Sequence, residues 1–270
     1  MSAGALDPAT IKACCAEGYS SDVLALLLGD CYHPGGLGLT RRLLDALALV
    51  GGEDVLDVAC GTGTTSLIGA VEYHAQVLGV DLSPGNVAAA VGAAATHAVS
   101  ERARFRVGDA EALPVPDACC DVVVCECALC TFPDKATAAR EMARVLRPGG
   151  RVGITDVTAD PARLPAQLTG LAARVACVAD ARTEAGHQQI LSEAGLRVGA
   201  VERHNPALAR LVEQIGARLE LLRMTAPDRL AELGLRAVTW QPVLDAARAA
   251  VADDALGYVL ITAEKPCLES

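Results

Sequence analysis

One stretch constrains the fold more than any other: Asp54-Val-Leu-Asp-Val-Ala-Cys-Gly-Thr-Gly63, an apolar run that breaks into a glycine turn. A buried run that short, closed by glycines, predicts a β-strand feeding a tight strand-to-helix turn. Gly61 and Gly63 let the backbone turn at the strand's carboxyl end and leave amide N–H groups open to a ligand, with no Cβ in the way. The next apolar run, Val77-Leu-Gly-Val-Asp81, ends in an acid suited to accept hydrogen bonds from ribose hydroxyls. The pair reads as the address of a nucleoside-bearing ligand on an α/β sheet.

The spacing narrows the ligand. A dinucleotide turn has the form G-x-G-x-x-G, facing a pyrophosphate. Here the turn is Asp57-x-Ala59-x-Gly61-x-Gly63, followed by Thr64, Thr65 and Ser66. Asp57 would repel a pyrophosphate and suits a cation. The turn resembles motif I of the class I S-adenosylmethionine-dependent methyltransferases, D/E-x-G-x-G-x-G, with Ala59 for the first glycine. Gly108-Asp-Ala-Glu-Ala-Leu-Pro114 follows the strand-like Ala103–Val107, and Val145-Leu-Arg-Pro-Gly-Gly-Arg-Val152 leads into a further strand ending at Val157. Both match the same family, and the likeness spans residues 40–160. It implies S-adenosylmethionine as cofactor, held by Asp57, Ala59, Cys60, Gly61 and Gly63 in the turn, by Asp81 and Leu82, by Asp109 at the adenine amino group with Ala110 beside it, and by Glu126.

Composition bears on what else the chain can be. At 270 residues and 52% hydrophobic it can bury a full core. A net charge of −10 argues against nucleic acid as a partner. No uninterrupted apolar run reaches the roughly 18–20 residues that span a bilayer, and no basic segment followed by an apolar core opens the sequence, so no membrane partner and a cytoplasmic location are expected. The eleven cysteines are odd in number and several fall in expected strands, which points to reduced thiols rather than a disulfide framework. Cys60, Cys119, Cys120 and Cys267 read as small filling or incidental residues.

Cys125-Glu-Cys-Ala-Leu-Cys130 is different, because it ends the expected fourth strand, Asp117–Val124, where a substrate meets a cofactor in open α/β sheets. A C-x-x-C pair can contribute to a zinc site, but no second pair follows to complete four ligands, and a redox pair would open a helix. The run Cys125-Glu-Cys-Ala-Leu-Cys-Thr-Phe-Pro-Asp-Lys135 resembles the arsenite methyltransferases, whose corresponding segment carries a substrate-binding cysteine. That resemblance implies Cys127 in its place, Cys177 as a second thiolate and Cys31 as the nearest counterpart of a third. Three soft thiolates would select a trivalent arsenical and leave its lone pair free to take a methyl group, with a thiol reductant as a further partner. The departures are Glu126 for the family's Asn, the altered segment around Cys31, and Arg182 and Thr183 for aromatic residues. They leave open a methyltransferase for an organic molecule, with Glu126 or His33 as base and the cysteines structural. A thiol protein that only sequesters a soft metal is the reading from outside enzymes.

The expected fold is a seven-stranded α/β sheet of the class I methyltransferase (Rossmann-like) type, mostly parallel with an antiparallel last strand. Residues 1–50 form an N-terminal helical cover with helices over 7–29 and 37–49. Residues 51–205 form the cofactor-binding core. Residues 206–270 carry a helical insertion, with Leu208, Leu211, Val212, Ile215, Leu219 and Leu222 on one face, and a last strand at Ala255–Thr262. His187 and His204 lack metal-ligand spacing and read as surface or capping residues.

Overall fold

The computed structural model describes residue 12 and residues 33–168, 178, 180–232 and 237–267. The expected helix over 7–29 lies outside them apart from Lys12, as do Cys31 and Cys177. Seven strands form one sheet: β1 Asp54–Val58, β2 Gln76–Asp81, β3 Ala103–Val107, β4 Cys120–Glu126, β5 Leu146–Ala159, β6 Arg197–Arg203 and β7 Leu256–Glu264. Their order across the sheet is β3-β2-β1-β4-β5-β7-β6, and β7 alone runs antiparallel to both its neighbours. The inner strands are apolar on both faces because helices cover both, which explains why Val55–Val58 and Val122–Val124 read as continuous runs without alternation.

Eight helices connect the strands among the described residues: α1 Gly36–Ala46, α2 Thr64–Glu72, α3 Pro84–Thr96, α4 Lys135–Val145, α5 Glu184–Glu193, α6 Asn205–Thr225, α7 Pro227–Glu232 and α8 Ala237–Ala252. Local sequence starts several of them. Ser83 caps α3 by accepting from the Asn86 amide, with Pro84 in the first turn; Asp134 caps α4 from Thr137, and Thr183 caps α5 from Gly186. One face of the sheet packs on α1, α2 and α3, with α6 and α8 towards β7; the other packs on α4 and α5 through Ala138, Met142 and Leu191. Leu208 of α6 joins the sheet core, whereas Val212 and Leu219 form a smaller cluster with Leu230, Trp240 and Leu244.

Four sequence expectations shift. The fourth strand starts at Cys120, not Asp117, because the chain turns at Ala118, whose φ is +48°. The Arg-Pro-Gly-Gly segment at 147–150 bulges out of register between Cys120↔Leu146 and Val122↔Arg151 instead of separating a helix from a strand. His187 is not at the surface: α5 turns it into the core, fully buried, where Nε2 lies 3.2 Å from the Val157 carbonyl. His204 precedes α6 but makes no capping bond with its side chain, and pairs with Glu202 at 3.3 Å instead.

The chain steps outward from β1 to β2 and β3, then returns to build β4 and β5 on the other side. A crevice therefore opens between the carboxyl ends of β1 and β4, where the crossovers leave in opposite directions. Helix α1 leans over it from β5, so closely that a Cβ on Gly153 would lie 2.7 Å from Leu43 Cδ1 and 2.8 Å from Leu47 Cδ1. Gly153→Ala is expected to push α1 off the sheet and cost about 1–3 kcal/mol, as overpacking does. Chemical denaturation checks it; an unchanged midpoint would mean that α1 is not seated by this contact.

Candidate active site

The crevice is a cleft lined at its base by the β1 turn and closed at its sides by the ends of β2, β4 and the segment around His33. It gathers Asp57, Ala59, Cys60, Gly61, Asp81, Leu82, Asp109, Ala110, Glu126 and Cys127. Gly63 is not on the wall: it caps α2 at φ +88°, and a Cβ there would lie 2.9 Å from Ala90 and Phe105. Its role is to let helix and strand pack closely.

Ala59, Gly61 and Gly63 all have positive φ, at +59°, +53° and +88°. The first of these is where the methyltransferase motif has glycine, so Ala59 holds a left-handed conformation that a Cβ disfavours by about 1–2 kcal/mol. Gly61 faces open space, with nothing within 4 Å of where its Cβ would be, so a ligand can approach its backbone. Its N–H donates to Asp81 Oδ2 at 2.8 Å, while Asp81 Oδ1 accepts from Ser83 N at 2.8 Å and Asn86 Nδ2 at 3.2 Å. Asp81 Oδ2 keeps a lone pair for a hydroxyl donor. At the far end Asp109 Oδ1 accepts from the Glu111 amide, and Lys12 Nζ bridges Asp109 Oδ2 at 2.7 Å and Glu111 Oε2 at 2.6 Å. No motif signalled Lys12, which reaches the cleft from 97 residues away in sequence.

Two buried carboxylates mark the centre. Asp57 is almost fully buried and accepts from Ser66 Oγ at 2.6 Å. Burial pushes its carboxyl up to about 7; the Ser66 hydrogen bond works against the rise, while Glu126 and Asp81 add to it. Glu126 accepts from Thr65 Oγ1 at 2.6 Å, Thr40 Oγ1 at 2.9 Å and Thr155 Oγ1 at 3.5 Å, and His33 Nε2 stands 3.8 Å away. Tyr258, wholly buried, donates to Thr155 Oγ1 at 2.9 Å, and burial lifts its hydroxyl well above the usual range, with Cys127 and Glu126 adding to the effect.

The thiols divide by environment. Burial drives the Cys60 and Cys125 thiols upward, so they stay protonated. Cys125 packs on the core face opposite to the one that Cys130 joins. Cys127 is half-buried on the cleft wall with φ +52°. Among the described residues no group of three or more His, Cys, Asp or Glu side chains is arranged to hold a metal ion. No helix among them is long and apolar enough to cross a membrane.

The donor set fits a nucleoside with a cationic tail. Asp57, Asp81, Asp109 and Glu126 line a cleft whose basic side chains, among the described residues, are only Lys12 and His33, and Leu82 offers an apolar surface. A pyrophosphate would meet carboxylates along its whole length.

A family model for a methyltransferase domain matches residues 56–154. The chain is 34% identical over 268 residues to the 27-O-demethylrifamycin SV methyltransferase of Amycolatopsis mediterranei (strain S699), covering 93% of this chain and 96% of that one. It belongs to the S-adenosylmethionine-dependent methyltransferases. This methyltransferase is also 30% identical to the O-methyltransferase cnsE of Penicillium expansum, over 91% of its own length and 89% of that protein. The arsenite methyltransferase of Halobacterium salinarum (strain ATCC 700922 / JCM 11081 / NRC-1) is 33% identical over 186 residues, 66% of this chain and 45% of that one. Among solved structures, a geranyl diphosphate methyltransferase in complex with S-adenosylmethionine overlays with a TM-score of 0.69 at 19% identity, covering 85% of both chains. S-adenosylmethionine is the cofactor of this enzyme.

Two predictions follow from the carboxylates and the strained turn. A folded value near 7 for Asp57, against an ordinary 3.8, means that between those values the folded enzyme holds a proton that the unfolded chain has released. That contribution is complete below about pH 4 and lost as pH rises through 7. Asp57→Asn should therefore gain stability over the parent by up to about 4 kcal/mol between pH 4 and 8, and the gain should level off above 8. Denaturation midpoints of the cofactor-free enzyme at pH 4.5, 6 and 8 decide it; a constant difference across that range would refute the assignment. Ala59→Gly should raise stability by about 1 kcal/mol by removing the Cβ from a left-handed position, read from the shift in thermal midpoint.

Proposed function

We propose that this enzyme transfers a methyl group from S-adenosylmethionine to an oxygen of a small organic molecule. The observation that carries the proposal is likeness along nearly the whole chain to a 27-O-demethylrifamycin SV methyltransferase and to an O-methyltransferase, where the arsenite relative matches over part of the chain. The cofactor supplies a sulfonium methyl that an oxygen lone pair can displace in line. The residues of the cleft have the remaining tasks.

Asp81 would hold the ribose and Asp109 the adenine edge. Asp57 and Glu126 would face the positively charged end, where ionised carboxylates are stabilised by the charge they meet. An attacking hydroxyl must lose a proton, and the two candidate bases differ in their surroundings. Glu126 has its lone pairs taken up by Thr40, Thr65 and Thr155, which stabilise the carboxylate as it stands. His33 lines the same cleft and makes fewer bonds among the described residues, so it is the proton acceptor in this reading. The cysteines then fill space.

A second reading, methylation of a soft metalloid, keeps one observation in its favour: Cys127 is on the cleft wall in a strained conformation. The two are separated by one assay. Labelled S-adenosylmethionine is incubated with the enzyme and, in turn, with 27-O-demethylrifamycin SV, simple phenols and arsenite. Label in a hydroxyl-bearing acceptor, lost by roughly 100-fold in His33→Asn with cofactor binding retained, supports O-methylation. Label in arsenite alone, abolished by Cys127→Ser, would overturn it.

A further inference from the structure

We infer that Thr40 is a positioning residue for proton transfer: with its single hydrogen committed to Glu126, it turns its lone pairs on His33 Nε2 and marks that nitrogen as the place where a proton is received. The geometry is independent of the acceptor; the catalytic consequence rests on the O-methylation proposed above.

His33 Nδ1 lies 3.2 Å from the carbonyl of Pro34, which can only accept, so Nδ1 carries a hydrogen. A neutral imidazole in that tautomer has its lone pair on Nε2. Nε2 is 3.3 Å from Thr40 Oγ1 and 3.8 Å from Glu126 Oε2. Thr40 owns one hydrogen, and its contact with the carboxylate is the shorter, at 2.9 Å, and is assisted by charge. Among the described residues neither neighbour of Nε2 therefore offers it a hydrogen: both present oxygen lone pairs.

The cluster is one proton short at a single nitrogen. When an acceptor hydroxyl attacks, its oxygen forms the new O–C bond, the electrons of its O–H bond stay on that oxygen, and the bonding pair of the broken S–C bond stays on the cofactor's sulfur. The released proton goes to Nε2. There it is hydrogen-bonded at once by Thr40, and the new charge faces Glu126. Among the described residues His33 is the only basic side chain within 4 Å of Glu126. Thr65, Thr155 and, through Thr155, Tyr258 hold the carboxylate in place from α2, β5 and β7. Thr40 is wholly buried on the apolar face of α1 beside Leu39, Leu43 and Leu44, a position that packing alone would give to an aliphatic side chain.

The test uses Thr40→Val, which keeps the shape and removes the oxygen, and Thr40→Ser, which keeps the hydroxyl. Both should bind S-adenosylmethionine as the parent does, which reports that they fold. In the full-length enzyme with a hydroxyl acceptor from the panel above, Thr40→Val should lose roughly 10- to 100-fold in kcat with KM for the cofactor unchanged, and Thr40→Ser should restore most of it. Nitrogen NMR of histidine-labelled enzyme without acceptor, with His33 assigned by its loss in His33→Gln, should show the Nδ1–H tautomer and an Nε2 resonance that moves in Thr40→Val. An Nε2–H tautomer, parent-like kcat in Thr40→Val, or equal damage in both variants would overturn the inference. If no hydroxyl acceptor is labelled, the O-methylation reading falls by itself, and the tautomer still decides the role of Thr40.

Discussion

The site depends on burying two carboxylates side by side at the carboxyl ends of β1 and β4. Desolvating a carboxylate costs several kcal/mol unless its lone pairs are met. For Asp57 and Glu126 the compensation is made by hydroxyls: Ser66 and Thr65 from α2, Thr40 from α1 and Thr155 from β5. Hydroxyls satisfy lone pairs without cancelling charge. The negative potential is therefore kept inside the protein, and Asp57 shows the remaining strain in a carboxyl that burial raises to about 7. A ligand with a positive centre relieves that strain where an anion would add to it, which is why this glycine turn accepts a sulfonium nucleoside and rejects a pyrophosphate.

The same two strand ends also carry backbone strain. Ala59 after β1 and Cys127 after β4 both take positive φ without being glycine. Each sits where the chain must leave the sheet abruptly to clear the cleft, and each is fixed by its neighbours. Cys60 N–H is bound by the Val80 carbonyl at 3.1 Å, and Cys127 N–H by the Thr155 carbonyl at 2.7 Å. The sheet registers β1 against β2 and β4 against β5 so that these bonds form, and the strain is paid by strand pairing rather than by the loops.

The sheet and the cofactor end were legible because their signals are local. Short apolar runs ending in Gly61 or Asp81 describe strand ends directly, and the caps Ser83, Asp134 and Thr183 stand one residue before their helices. The acceptor end was harder, because its determinants are separated in sequence and alike in chemistry. Thr40, Thr65 and Thr155 converge on one carboxylate from three elements, and a threonine carries no motif. One trace was readable: Thr40 is the polar exception on the buried stripe of α1. His187 misled for the same reason, since an isolated histidine on a short helix has no pattern that distinguishes core from surface.

The cysteines show how a local motif can point past the chemistry around it. Cys125, Cys127 and Cys130 look like one cluster in sequence, yet Cys125 packs into one face of the sheet, while Cys127, just past the strand end at a φ of +52° that breaks the alternation, and Cys130 pack towards the other. A thiolate site needs soft ligands converging on one point, together with cationic surroundings that favour deprotonation. Among the described residues the groups that converge on Glu126, the neighbour of Cys127 in sequence, are hard oxygens: the hydroxyls of Thr40, Thr65 and Thr155, the last tied to Tyr258. A carboxylate held by hydroxyls keeps its negative charge. In the proposed O-methylation that charge faces the proton which an alcohol or phenol gives up on methylation, and which a thiolate-bound arsenical does not release.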